Sequence, residues 1–285
     1  MAGDVKTGTA LEKLKLPADT LLDRLGRWIA ERLRSESSGY KPYAPSDPET
    51  LQACLRPGDI LLVEGNQKIS AAIKYLTQST WSHAALYVGD AVDVRDPDGE
   101  RHRLIEVNLG EGCVTAKLSK YRDFNTRICR PVGLVDADRE EVVDYMVARI
   151  GLKYDLKNIF DMLRFFFPTP PVPVRWRRRM LALGSGDPTR AICSTLIAQA
   201  FQKVRYPILP RVELVTNKAV TRDWRGQHMY YTRREILHIR HHSLFAPRDF
   251  DLSPYFAIVK PTIEKGFDYK TLLWGDSSSQ ASEEK

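Results

Sequence analysis

The chain has 285 residues, 43% of them hydrophobic, and a formal net charge of +7. That is enough apolar material for a sizeable core in one large or two small domains. Lys and Arg are dispersed apart from RWRRRM (Arg175 to Met180), which argues against an extended nucleic-acid surface, and no nucleic-acid partner is expected. No run of 18 apolar residues occurs, so no spanning segment is predicted.

Cys54, Cys113, Cys129 and Cys193 lie far apart, without CxxC or Cys/His ligand spacing. Neither a disulfide scaffold nor a metal site is expected, and the chemistry calls for no cofactor. The N-terminal MAGDVKTGTALEKLKLPADTLLDRLG has no continuous apolar stretch. A cleaved signal peptide is therefore not expected, and the cytoplasm is the expected compartment.

Residues 1–50 read as an amphipathic helix over about 18–34 (Leu21, Leu22, Leu25, Trp28, Ile29, Leu33) followed by a polar, Pro-containing connector. The main body spans 51–262. RPGDILLVEG predicts a turn and a buried strand at Asp59–Glu64, and Ile69–Leu76 predicts a short helix. WSHAALYVGD gives a strand from Ser82 to Val88, and after a polar loop a second runs from His102 to Leu109. Further strands are predicted around Val114 and Ile128, then a helix from Val135 to Ile150 opened by Asp136 or Asp138.

GLKYD (Gly151 to Asp155) feeds a second helix through Phe166, and residues 167–189 form a Pro- and Arg-rich insertion. ICSTLIAQAF begins a helix running from about Arg190 to Val204. FAPRDFDLSPYFAIVKP gives a short helix or turn and a final strand near Ala257–Lys260, and 263–285 is a tail. The sum is an α+β fold, a mostly antiparallel sheet packed against helices.

Cys193 falls on the first turn of its helix, where the dipole favours a thiolate. A cysteine nucleophile needs a base, and five of the six histidines sit in polar, charged surroundings. His83 alone lies in an apolar strand. In RLIEVNLG, Ile105, Val107 and Leu109 share one face, Glu106 and Asn108 the other. If the two strands pair as a hairpin around residues 90–101, a symmetric register sets His83 opposite Asn108. Glu106 then lies one diagonal step away on the same side, and a slip of one residue reverses this.

RPGDILLVEG, TQSTWSHAALYVGD, LIEVNLGEGC, GLKYDLKNIF, ICSTLIAQAF and APRDFDLSPYF, in that order, resemble the YiiX-like permuted papain-like amidases. These are a circularly permuted branch of the NlpC-type cysteine peptidase superfamily, related to the lecithin–retinol acyltransferases. The resemblance covers about residues 50–262 and implies a circularly permuted papain-like fold, with histidine and acid preceding cysteine. It implies Cys193 as nucleophile, His83 as base and Glu106 as the polar third member. Tyr154, Trp81 and Asn108 are expected at the substrate.

The implied activity is a cysteine hydrolase, amidase, peptidase or lipid esterase, working through an acyl-enzyme. The alternatives are an acyltransferase and a catalytically silent binding module. The substrate is expected to be a small molecule, peptide or lipid with an amide or ester. Phe165, Phe166, Phe167 and Trp176 beside Arg175, Arg177, Arg178 and Arg179 suit peripheral contact with an anionic membrane. The first oxyanion donor is expected to be the Cys193 backbone N–H.

Overall fold

A computed structural model describes residues 35, 40–43, 45, 47–108, 111–152, 193–223 and 226–271. The expected helix over 18–34, the GLKYD helix with Tyr154, and the 167–189 insertion lie outside the described residues. Helix α1 (Pro48–Cys54) leads into strand β1 (Ile60–Val63), helix α2 (Lys68–Thr77) and strands β2 (His83–Tyr87), β3 (Leu104–Asn108) and β4 (Gly112–Ala116). A 3-10 turn (Leu118–Tyr121), strand β5 (Thr126–Pro131) and helix α3 (Asp136–Val147) follow. Beyond them come helix α4 (Cys193–Lys203), strands β6 (Arg211–Asp223) and β7 (Gly226–His238), helix α5 (Pro247–Asp251), strand β8 (Phe256–Val259) and helix α6 (Pro261–Glu264).

Six strands form one sheet in the order β4-β3-β2-β1-β5-β8, and every pairing is antiparallel. The α+β class holds. The long β6–β7 ribbon forms a second, two-stranded sheet that the sequence reading passed over. Its strands mix apolar, polar and charged residues without a long hydrophobic run or a sustained alternation. Asp223 pairs with Gly226 at the end of the ribbon, as in a hairpin.

Both faces of the large sheet are covered. On one, Ile60, Leu62, Ala84, Leu86, Ile105 and Val107 meet Val142 and Met146 of α3 and Leu196, Ile197, Ala200 and Phe201 of α4. On the other, Leu61, Val63, Ala85, Tyr87, Leu104 and Ile128 meet Leu51 of α1, Leu55 just after it, and Leu118 and Tyr121 of the 3-10 turn. Strands buried on both sides read as continuous apolar runs, and β1 (ILLV) is wholly buried.

The face of β3 that carries Glu106 is therefore interior, roofed by α1 and the 3-10 turn. Helix α4 buries eight residues, Cys193 to Ala198 with Ala200 and Phe201, and contacts β2, β3 and α3. Helix α3 begins at Asp136 behind Val135, which makes no side-chain cap. Asp136 serves instead as an acidic first-turn residue and accepts from Arg139.

Asp59, just before β1, is buried and receives Arg130 of β5 in a forked pair, Nε at 3.0 Å and Nη2 at 2.7 Å, with the Arg56 N–H on the same carboxylate. Burial pushes the Asp59 carboxyl up, against the pull of Arg130. Removing the guanidinium leaves a buried unpaired carboxylate, a loss of about 3–5 kcal/mol. Arg130→Met should therefore lower the urea midpoint strongly at neutral pH. The gap from wild type should narrow as pH falls and Asp59 protonates; a pH-independent gap would show that Asp59 is not the group left stranded.

Candidate active site

Strand β2 supplies His83 and α4 supplies Cys193. Within β2 successive N–H groups alternate sides: Tyr87 donates to Asp59 on the β1 side, Val88 to Arg103 on the β3 side. Ala84 shares the parity of Val88, and the paired register with β3 covers Ala85 to Tyr87. Just past that ladder, the Ala84 N–H donates to Cys193 Sγ at 3.2 Å. The start of α4 is thus pinned to the start of β2, with the thiol 2% exposed as a residue.

The observed register, Ala85 opposite Glu106 and Leu86 opposite Ile105, is the symmetric one expected from the sequence. His83 Nε2 lies 3.2 Å from Glu106 Oε2. The carboxylate of Glu106, not Asn108, takes this ring nitrogen. Asn108 instead donates from Nδ2 to Glu106 Oε1 at 2.9 Å, and to Glu111 at 3.0 Å.

Glu106 has no solvent-exposed side-chain surface, so each lone pair must find a donor inside the protein. His83 and Tyr121 Oη donate to Oε2, Asn108 and Lys120 Nζ to Oε1. Burial alone would raise this carboxyl. The hydrogen bond and charge of His83, then the charge of Lys120, outweigh it and hold Glu106 well below the usual carboxylate range. Burial and the neighbouring Glu106 charge raise the Tyr121 phenol, so it stays a donor.

For His83, burial works against the charged ring. The negative charge and hydrogen bond of Cys193, then those of Glu106, outweigh it and push the imidazole up to about 10. Glu106 occupies Nε2, so Nδ1 is the ring nitrogen left for a second partner. The arrangement can hold an imidazolium between two acceptors, one fixed and one chemically reactive.

Cys193 and His83 open onto a cavity of about 250 Å³ whose walls include Ile69 and Ile73 of α2, Phe124, Asn108 and Lys120. Gly65 makes this wall possible: a Cβ there would sit 2.3 Å from Ser70 Oγ, and its N–H donates to Ser82 Oγ at 2.9 Å.

Trp81, expected at the substrate, packs in the core. It is 5% exposed in the core, its Nε1 donates to Asp251 at 3.1 Å, and the Arg127 guanidinium stacks 4.9 Å from its ring. It lies outside the cavity wall, where its size and apolar body suit packing. Asn108 does line the cavity; Tyr154 lies outside the described residues.

Lys120 and Tyr121 were not found from sequence, because the short LSKY turn has no periodicity to assign their faces. Among the described residues no cluster of three His, Cys, Asp or Glu is placed to hold a metal ion. No described helix is long and apolar enough to cross a membrane.

No family model matches the chain, and no curated protein does. Among solved structures the chain is similar to the crystal structure of the metalloprotein YiiX from Escherichia coli O157:H7, at 11% identity and a TM-score of 0.41. The match covers 73% of this chain and 97% of that one.

The buried pair fixes a pH window for stability. Glu106 titrates below its ordinary 4.5, so its contribution is present above that value and lost as pH falls. His83 titrates above its ordinary 6.5, so its contribution is full below 6.5 and lost as pH rises through about 10. Both are complete only between about 4.5 and 6.5. The urea-stability gap between wild type and Glu106→Gln should peak there and shrink on both sides; a gap that grows steadily toward pH 10 would contradict the pairing.

Proposed function

We propose that the protein is a cysteine hydrolase of circularly permuted papain-like design, cleaving an amide or ester through an acyl-enzyme. The reading rests on one observation above the others: a fully buried carboxylate holds Nε2 of His83, while Cys193 lines the same cavity and accepts the N–H of Ala84, the residue after His83. The order of the parts along the chain supports the permutation, since His83 and Glu106 precede Cys193. Triads are recognised by geometry and role rather than by sequence order.

In this mechanism the Cys193 thiolate attacks the carbonyl carbon and the C=O π electrons move to oxygen. His83 passes its proton to the leaving nitrogen or oxygen as the tetrahedral species collapses, giving the thioester and the free amine or alcohol. Neutral His83 then takes a proton from water, whose oxygen attacks the thioester. The acid is released, with sulfur left as thiolate and His83 protonated again.

Glu106 holds the ring without itself accepting the proton. The Ala84 N–H on Sγ steadies the thiolate before attack, and the Cys193 N–H at the helix start is the oxyanion donor. The apolar part of the cavity wall, Ile69, Ile73 and Phe124, suits an apolar acyl or aryl group. The aromatic and basic residues of 165–180 carry the further proposal of peripheral contact with anionic membranes.

An activated acyl probe distinguishes an enzyme from a silent binding module. Burial pushes the Cys113 thiol up to about 11 and raises the Cys129 thiol as well, so neither competes at neutral pH. A 4-nitrophenyl ester should acylate Cys193 and turn over. Cys193→Ala should remove all turnover and leave the thermal midpoint within a few degrees of wild type, since a lone first-turn thiol contributes little packing. Full ester turnover by folded Cys193→Ala would end this reading.

A further inference from the structure

Among the described residues, Lys120 is the one cation touching the Glu106 carboxylate besides His83. It stands in the 3-10 turn (Leu118–Tyr121) and bonds Oε1, while Oε2 carries His83 and Tyr121. Its side chain is 42% exposed and forms part of the cavity wall, with Nζ 5.3 Å from the centre of the Tyr121 ring.

Asn108 and Tyr121 satisfy lone pairs but are neutral, so they leave the full carboxylate charge facing the imidazole. A buried carboxylate opposed only by neutral donors would hold the His83 proton too firmly for release to a leaving group. The groups facing His83 are Cys193 from α4, Glu106 from β3, and Tyr121 with Lys120 from the 3-10 turn. Glu111 stands one residue further out, behind Asn108. Of these only Lys120 opposes protonation of the ring through its charge.

We propose that Lys120 is a positioning residue that sets how firmly His83 holds its proton: bonded to the far oxygen of Glu106, its ammonium takes up part of the carboxylate charge. The proton transferred in catalysis leaves His83 Nδ1 as the new N–H or O–H bond of the leaving group forms. Lys120 acts on that transfer through Glu106 without touching the reacting atoms. Its meaning for turnover rests on the hydrolase reading, whereas the effect on His83 does not.

The test is the titration of His83 in the full chain, followed by imidazole ¹⁵N chemical shifts and assigned with His83→Gln. Lys120→Met should raise the His83 midpoint by about one pH unit, from the loss of one positive charge across a partly buried carboxylate. Lys120→Arg should leave the midpoint near that of wild type. Lys120→Gln, shorter and polar, should repeat the rise if the methionine variant fails to fold.

An unchanged midpoint in a folded neutral variant, or a lower one, would overturn the proposal. In turnover of a 4-nitrophenyl ester and of the matching anilide, the neutral variant should lose kcat on the anilide several-fold more than on the ester, with KM unchanged. The anilide needs the proton and the ester does not. A raised midpoint with no turnover of either compound by wild type would leave the role of Lys120 standing and sink the hydrolase reading instead.

Discussion

A single carboxylate, completely removed from water, fixes the arrangement of this protein's candidate site. An unpaired charge in the position of Glu106 would cost several kcal/mol, and the structure meets that cost with four donors divided evenly between its two oxygens. Those donors come from three separate pieces of chain: β2, the end of β3 itself, and the 3-10 turn. None can shift without stranding a lone pair, so the carboxylate ties strand register to turn placement. The orientation of the His83 ring is a consequence. The same bond that satisfies Glu106 turns Nδ1 away from the carboxylate.

The second requirement is a strand that ends in the right place. Ladder hydrogen bonds occupy backbone groups on both sides of an interior strand, and a central strand offers no N–H to anything else. β2 is interior to the six-stranded sheet, yet its paired register with β3 covers only Ala85 to Tyr87. The Ala84 N–H, at the margin of that ladder, meets the sulfur. Helix α4 reaches it because small residues, Ala198 and Ala200, with Leu196 and Ile197 sit fully or almost fully buried along its length. A bulkier face would hold the helix further from the sheet and lift Cys193 off β2.

Much of this was legible in the sequence, for identifiable reasons. Strands such as DILLV and HAALY announce themselves as apolar runs, and the alternation of Ile105 and Val107 with Glu106 and Asn108 fixes which residues share a face. With a symmetric turn that alternation yields the observed register, and with it the meeting of His83 and Glu106. The covering of the Glu106 face was not legible. Polar residues at every second position suggest a wet face, and only the packing of α1 and the 3-10 turn shows that it is dry. Lys120 and Tyr121 escaped for the same reason, since their importance comes from a buried partner elsewhere in the chain. The core placement of Trp81 was not legible, because an aromatic residue beside an apolar strand has no local sign of which way it packs. Its bond to Asp251, 170 residues away, is a tertiary fact without a local signal.

The chain of groups has a further consequence for recognition. With Cys193 as thiolate and His83 as imidazolium, the charges alternate along Cys193, His83, Glu106 and Lys120, and they sum to zero. An alternating row in a partly buried site has each charge stabilised by its neighbours, so its members tolerate desolvation that none would tolerate alone. It also projects little net field into the cavity, so long-range steering by substrate charge is weak. Under the proposed function, discrimination would fall to shape and to the apolar wall, where Ile69 and Ile73 sit four residues apart on α2 beside Phe124. Under the proposed hydrolase function, the electrostatics of the site would serve the proton and the thiolate, and the selection of a substrate would be left to packing.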